Sequence, residues 1–294
     1  MKSPVATVIT DLDNTLYDWV AMWGAAFNAM LRVLVDQSGI DQAVIEAEAR
    51  DVHRKYGTSE YSFLIESLPS LQRKHPGRDL AEVYADAIRA YREARDASLR
   101  LFPTVMDTLT ALKAKGCLII GYTDSRAFYS GYRVRKVGLD GVLDFLFSPP
   151  GHELPGTARE RRGPPLDAHE FEKTVHRHTP EGETKPNPAV LADIMRDTGA
   201  APARTVYVGD SLMRDVLMAQ EAGVRDVFAK YGLALHRDEY ELLRRVSHWT
   251  DADIEREKRL KLEHDVHPSY TLTERFSELL DLFEFEPFAA RPAA

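Results

Sequence analysis

The feature that most constrains this chain is a repeated change of period. Short apolar runs of strand character alternate with segments whose apolar residues recur every three or four positions, and several of the short runs break off into polar residues. Val5 to Ile9 is a β-rich run that ends in Asp11, Asp13 and Asn14. Leu118 to Tyr122, Phe145 to Phe147, Thr205 to Val208, Val227 to Ala229 and Tyr270 to Leu272 read the same way. Between them the spacing predicts helices from Pro103 to Gly116, Ser125 to Val137, Pro188 to Thr198, Leu212 to Ala222 and Glu274 to Phe285, with Pro at favoured opening positions and Gly at several ends. Strands that alternate with helices imply a parallel sheet covered on both faces, the doubly wound α/β class. A ligand site in such a sheet lies at the carboxyl ends of its strands.

Three stretches break the alternation. From Trp19 to about Leu99 the pattern is helical throughout, with Trp23, Phe27, Met30, Leu31 and Leu34 on one face and Leu80, Val83, Tyr84, Ala87, Ile88 and Tyr91 on another. Residues 148–184 are rich in Pro, Gly and charge, and residues 235–267 form a charged helical stretch. The expected organisation is a catalytic core of residues 1–17 and 100–294 carrying two insertions, at about 148–184 and 235–267, with an α-helical cap over 18–99. Both insertions follow strands, so they are expected to line or gate the entrance to the site, or to serve as solvated decoration or an oligomer contact.

An apolar fraction of 44% over 294 residues supports a sizeable core. No apolar run has the length a membrane span needs, and Met1 to Thr10 lacks a signal-peptide pattern, so the expected location is cytoplasmic with no membrane partner. A net charge of -8 argues against nucleic acid as a partner. The lone Cys117 lies among Leu118, Ile119 and Ile120 and reads as a packing residue. A homodimer is compatible with the sequence but not dictated by it.

Chemistry-bearing groups follow the strand-like runs. Asp11 and Asp13 bracket one apolar residue, so near a strand end their side chains can diverge, one toward a metal and substrate, the other toward proton transfer; a bare D-x-D is equally a solvated, helix-capping turn. Thr123 can donate to an anion beside the following helix or act as a plain N-cap. Lys185, stiffened by Pro186 and Pro188, can hold an ammonium toward a phosphate or lie in an ordinary loop. Asp210 and Asp215 surround a helix start, where carboxylates suit Mg²⁺ or complement the helix dipole. The order and spacing of all four groups together favour a common site.

In these four motifs the sequence resembles the haloacid dehalogenase superfamily of phosphohydrolases. The first motif is Asp11-Leu12-Asp13-Asn14-Thr15-Leu16-Tyr17, the second Thr123, the third Lys185 before Pro186, and the fourth Gly209-Asp210 with Asp215. The resemblance implies a Rossmann-like core with an inserted helical cap. It implies that Asp11 attacks phosphorus to form an aspartyl-phosphate, and that Asp13 protonates the leaving oxygen and then activates water. Mg²⁺ would be held by Asp11, Asp210 and the backbone carbonyl of Asp13, the phosphoryl oxygens by Thr123 and Lys185 with Asp124 beside them, and Asp215 would orient the metal's water shell or Lys185.

Dehalogenation at carbon needs neither a second Asp nor a metal, so Asp13 and Asp210 favour phosphate chemistry. A phosphomutase or a non-catalytic binding module on the same fold are the alternatives. The expected partner is a small phosphorylated metabolite, with a lean toward nucleotides of the pyrimidine 5'-nucleotidase type or sugar phosphates. Asp124 departs from the family pattern, which commonly has Asn there; it would disfavour an anionic leaving group or cap the next helix. Arg159, Arg161 and Arg162 can meet a second anionic group or be a solvated face. His169, His176 and His178 lack the accompanying ligands of a zinc site. Trp19, Trp23, Tyr56 and Tyr61 can stack on a base or fill the cap's core.

Overall fold

The computed structural model describes residues 2–151, 171–233, 238–249, 255, 259 and 264–289. The chain folds as two compact units. One comprises Met1–Asp18, Arg100–Leu233 and His264–Ala294; the other comprises Trp19–Leu99 and Ala234–Glu263.

The first unit is built on a parallel sheet of seven strands, as the alternating pattern predicts. In chain order its strands are β2 (Thr7–Thr10), β3 (Leu118–Tyr122), β4 (Phe145–Ser148), β5 (Val175–His178), β6 (Thr205–Gly209), β7 (Arg225–Ala229) and β8 (Tyr270–Leu272), and across the sheet they run β5-β4-β3-β2-β6-β7-β8. The chain therefore moves outward on one side of β2, then returns to its other side with β6. That reversal is the topological switch point at which α/β sheets bind ligands. The central strands β2, β3 and β6 are buried along their whole length, because helices cover both faces. On one face Ile9, Ile120, Tyr122 and Tyr207 pack with Val190, Leu191, Ile194 and Met195 of the helix Pro188–Thr198. A separate pair, β1 (Pro4–Val5) and β9 (Glu284–Phe285), ties the two described ends together.

Three expectations are corrected. The segment 148–184 is not wholly an insertion: Val175–His178 pairs with β4 and forms the sheet's edge. Its charged, alternating character suits an edge strand, which resists continued pairing when polar. The stretch 235–267 does not decorate the core unit; its described helix, Asp238–Val246, packs with the helices Trp19–Ser38 and Gln42–Tyr56 of the second unit. The closing helix is also shorter than expected, a turn at Phe276–Glu278 and a helix at Leu279–Leu282, because Glu284 and Phe285 are drawn into pairing with β1. Arg159, Arg161, Arg162 and His169 lie outside the described residues.

In the helical unit the aromatic residues fill the core. Trp23 stacks on Phe27 with ring centroids 4.9 Å apart, and Tyr61, itself buried, stacks on Tyr56 at 3.7 Å. Buried polar groups attach the late helix to the early ones. The His53 imidazole donates through Nδ1 to the carbonyl of Val246 at 2.6 Å, Arg245 Nε donates to Glu46 at 2.9 Å, and His248 Nδ1 meets the Ser59 hydroxyl at 2.9 Å. Among the described residues no helix is long and apolar enough to cross a membrane.

Burial pushes the His53 pKa down to about 4. The folded state holds His53 neutral while the unfolded chain takes up a proton near pH 6.5, so stability present above that pH is lost as pH falls from about 6.5 toward 4. His53→Asn, whose amide can also donate to Val246, should flatten that fall by up to about 1 kcal/mol per pH unit in denaturant titrations. Equal slopes for wild type and variant would remove His53 as the cause.

Candidate active site

Asp11, Thr123 and Asp210 stand where the central strands β2, β3 and β6 stop. β2 ends at Thr10, and the Asp11 amide still donates to the Val208 carbonyl at 2.8 Å, which holds Asp11 against β6. The chain then turns on itself: the amides of Thr15 and Leu16 both donate to Leu12, Asn14 takes a left-handed conformation, and Leu12, Leu16 and Tyr17 are buried. The apolar residue between the two carboxylates thus anchors the turn, and Asp11 and Asp13 diverge because the chain leaves strand geometry there; in a continuing strand they would share a face.

The turn is braced from the loop after β7. Tyr231 donates its hydroxyl to the Thr15 carbonyl at 2.6 Å, and Gly232 passes so close to the Asn14 carbonyl that a Cβ on it would lie 1.8 Å from that oxygen. Only glycine fits there. A second close approach lies at the end of β6, where a Cβ on Gly209 would sit 2.3 Å from Asp215 Cγ. The helix that follows opens with a widened turn at Leu212–Val216, a form often found at functional sites, before the regular helix Leu217–Glu221. That turn folds Asp215 back beneath Gly209.

Oxygens of Asp11, Asp210 and Asp215 come within 4.8 Å of one another. Lys185 is buried among them: its Nζ donates to Asp11 Oδ1 at 2.5 Å and to Asp215 Oδ1 at 3.0 Å, and it lies 4.9 Å from the Tyr122 ring and 5.5 Å from that of Tyr207. Tyr207 donates its hydroxyl to the same Asp215 oxygen at 2.9 Å, and the Ser211 amide donates to the other at 3.1 Å. Asp11 Oδ2 accepts from the Thr15 hydroxyl at 3.1 Å. Burial works against the charge on Lys185, but Asp11 and Asp215 outweigh it and hold its pKa well above the ordinary value. Burial also pushes Asp11 up to about 7, aided by Asp215 and Asp13 and opposed by Lys185, and it raises Asp210 well above the carboxylate range, aided by Asp11 and Asp215.

This donor set fits a hard divalent cation. Three carboxylates face one ammonium, and an oxygen-only cluster is what Mg²⁺ takes. Asp215 serves the cluster mainly through hydrogen bonds, which orient Lys185.

Asp13 points elsewhere. Its Oδ1 accepts from Arg133 at 2.7 Å, and its Oδ2 accepts from the Ser125 hydroxyl at 2.6 Å. Thr123 is buried at the end of β3; its Oγ1 accepts from the Ser125 amide at 3.0 Å and lies 3.5 Å from Asp13 Oδ2. Asp124, expected beside the phosphate, is instead engaged by the protein. Its carboxylate accepts from the Lys185 backbone amide at 3.3 Å and pairs with the Arg214 guanidinium, so the side chain does not cap the next helix. It positions the segment that carries Lys185. Sequence reasoning missed Arg133, Arg214, Ser125 and Tyr207. The clue for Arg214 was its place inside the run Asp210 to Asp215, whereas Arg133 reads as one of several surface charges on its helix. On β5, His176 Nε2 meets the Ser148 hydroxyl at 2.8 Å and its ring lies 5.0 Å from that of His178.

A nucleophile-like Asp at a strand end, a second Asp two residues on, a buried Lys and a further acidic pair define the class. The chain matches the family model for haloacid dehalogenase-like hydrolases over residues 5–223, and it belongs to that family. It is 22% identical over 231 residues to a glyceraldehyde 3-phosphate phosphatase of Methanopyrus kandleri, covering 78% of this chain and 85% of that protein. It is 26% identical over 227 residues to a phosphoglycolate phosphatase of Pseudomonas putida, covering 76% of this chain and 69% of that protein. Among solved structures, a 2-haloacid dehalogenase from Pseudomonas syringae shares its fold with a TM-score of 0.53 at 19% identity, covering 95% of this chain and 97% of that one.

Gly232→Ala should displace the turn at Asn14 and lower turnover at least about tenfold, since a misplacement near 1 Å can cost about a hundredfold. Phosphate-release assays with circular dichroism as a folding control measure this; full activity would show that the loop yields without moving Asp11.

Proposed function

We propose that this protein is a Mg²⁺-dependent phosphatase that cleaves a small organic phosphate monoester through an aspartyl-phosphate on Asp11. The observation that carries the reading is the buried Lys185 ammonium lying 2.5 Å from Asp11, within a carboxylate cluster at the carboxyl ends of the central strands. A carboxylate attacks a phosphate dianion only when the charge between them is neutralised.

Asp11 and Asp210, with the Asp13 backbone carbonyl, would hold the Mg²⁺, which when bound supplies positive charge to the phosphoryl oxygens and orients them. Lys185 Nζ binds a phosphoryl oxygen from the other side, and Asp215 and Tyr207 keep that ammonium in place. Thr123 Oγ1 donates to a further phosphoryl oxygen. In the first half-reaction an Asp11 oxygen bonds to phosphorus, the ester P–O bond breaks, and its electron pair goes to the leaving oxygen, which takes a proton from the Asp13 carboxyl. In the second, water bonds to phosphorus and gives its proton to the Asp13 carboxylate. The bond between phosphorus and Asp11 then breaks, which frees phosphate and restores Asp11.

The names of the similar phosphatases favour short-chain phosphates such as glyceraldehyde 3-phosphate and phosphoglycolate over nucleotides as the substrate class. Phosphate release from a panel of both kinds, with Mg²⁺ and with EDTA, tests the reading. Metal-dependent release should concentrate on a few short-chain esters, and Asp11→Asn should abolish it with the fold intact. Equal residual release by wild type and Asp11→Asn would reject catalysis by Asp11; no release from any ester would favour a mutase or a binding module.

A further inference from the structure

We infer that Arg133 is a positioning residue for Asp13, aiming the carboxyl that transfers the proton to the leaving oxygen. This rests on the phosphatase reading above and concerns how its acid is oriented. Arg133 lies inside the helix Ala127–Lys136, and its side chain is 2% exposed. A guanidinium is seldom buried so fully unless it is paired, because removing it from water costs several kcal/mol.

Arg133 reaches the site through Asp13 and Ser125. One Arg133 nitrogen donates to Asp13 Oδ1 at 2.7 Å and to the Ser125 hydroxyl at 3.1 Å, and that hydroxyl in turn donates to Asp13 Oδ2 at 2.6 Å. Arg133, Ser125 and Asp13 therefore close a small ring of hydrogen bonds. Both carboxyl oxygens are engaged, so rotation about the last bond of Asp13 is blocked. The Asp13 side chain remains 19% exposed, which leaves an open side toward which a leaving oxygen can come.

The ring also separates the two carboxylates of the first motif by task. Asp11 is drawn to Lys185 and the acidic cluster, whereas Asp13 is drawn toward the Ala127–Lys136 helix and is not among the clustered metal-binding oxygens. A proton-transfer group must be held within about 0.5 Å of its working position to be effective. Asp13 stands on a turn, and turns alone do not supply that precision; the rigid helix does, through Arg133. Lysine would not replace it, since a single ammonium lacks the guanidinium's fixed planar geometry.

Leaving-group dependence distinguishes positioning from mere structural support. Alkyl esters such as phosphoglycolate need a proton on the departing oxygen, whereas 4-nitrophenyl phosphate departs as a stable phenolate without one. The value of kcat/KM reports the steps up to departure, so it isolates this proton transfer from later water attack. For Arg133→Met, kcat/KM should fall about 100-fold or more toward the alkyl ester and less than about threefold toward 4-nitrophenyl phosphate, the size expected for losing a general acid. Arg133→Lys should be intermediate, and Ser125→Ala should show the same selectivity at smaller amplitude.

Equal losses toward both esters, or no loss toward either, would overturn the assignment while leaving the phosphatase reading in place. If Arg133→Met does not fold, judged by circular dichroism and gel filtration, the same comparison with Ser125→Ala decides between the same two outcomes. Wild-type protein inert toward both esters with Mg²⁺ would reject the phosphatase reading itself, and this assignment with it.

Discussion

One buried cation organises the core unit's site. Lys185 sits with its ammonium between Asp11 and Asp215 and against the faces of Tyr122 and Tyr207. Burying an ammonium or a carboxylate alone is costly, and the cluster is tolerable only because each charge is matched and hydrogen-bonded by the next. The match is incomplete: negative charge exceeds positive, and burial, aided by the neighbouring carboxylates, raises the pKa values of Asp11 and Asp210. An excess of this sign is what a divalent cation would correct, bringing the cluster near neutral and removing the repulsion a phosphate would otherwise meet.

Around that cluster, backbone approaches set the geometry to a fraction of an ångström. Gly209 lets the Asp215 carboxylate lie against β6, and Gly232 lets the loop after β7 lie against the turn carrying Asp11 and Asp13. Asp124 and Arg214 pair beside the cluster and hold the amide of Lys185. Three strands, β2, β3 and β6, thus deliver their residues to one place, and a fourth segment supplies the cation. The parallel sheet makes this convergence possible because its neighbouring strands all end on the same side.

The helical unit is held by different forces. Its interior is aromatic and aliphatic, with Trp23, Phe27 and Tyr61 buried and in contact with their neighbours. The late helix Asp238–Val246 joins it through His53, Glu46 and Ser59, so residues far apart in sequence complete one core. Local pattern cannot reveal such a partnership, since a charged helix with one apolar stripe suits many neighbours.

Periodicity alone determined the class of the core, a doubly wound parallel sheet, because strand and helix periods follow from local burial and nothing else. It also located Asp11, Asp13, Thr123 and Asp210 at the ends of strand-like runs, since polar residues there interrupt an otherwise continuous apolar pattern, and Lys185 just before the helix that precedes β6. Tertiary structure decided the rest. It made Val175–His178 an edge strand, gave Asp238–Val246 to the helical unit, set the Asp124 carboxylate against the Lys185 amide, and joined Arg133 to Asp13 across 120 residues of chain. The physical reason is common to all four. Each depends on which distant group supplies the matching charge or hydrogen bond, and a sequence states what a residue can pair with, whereas only the folded chain states what it meets.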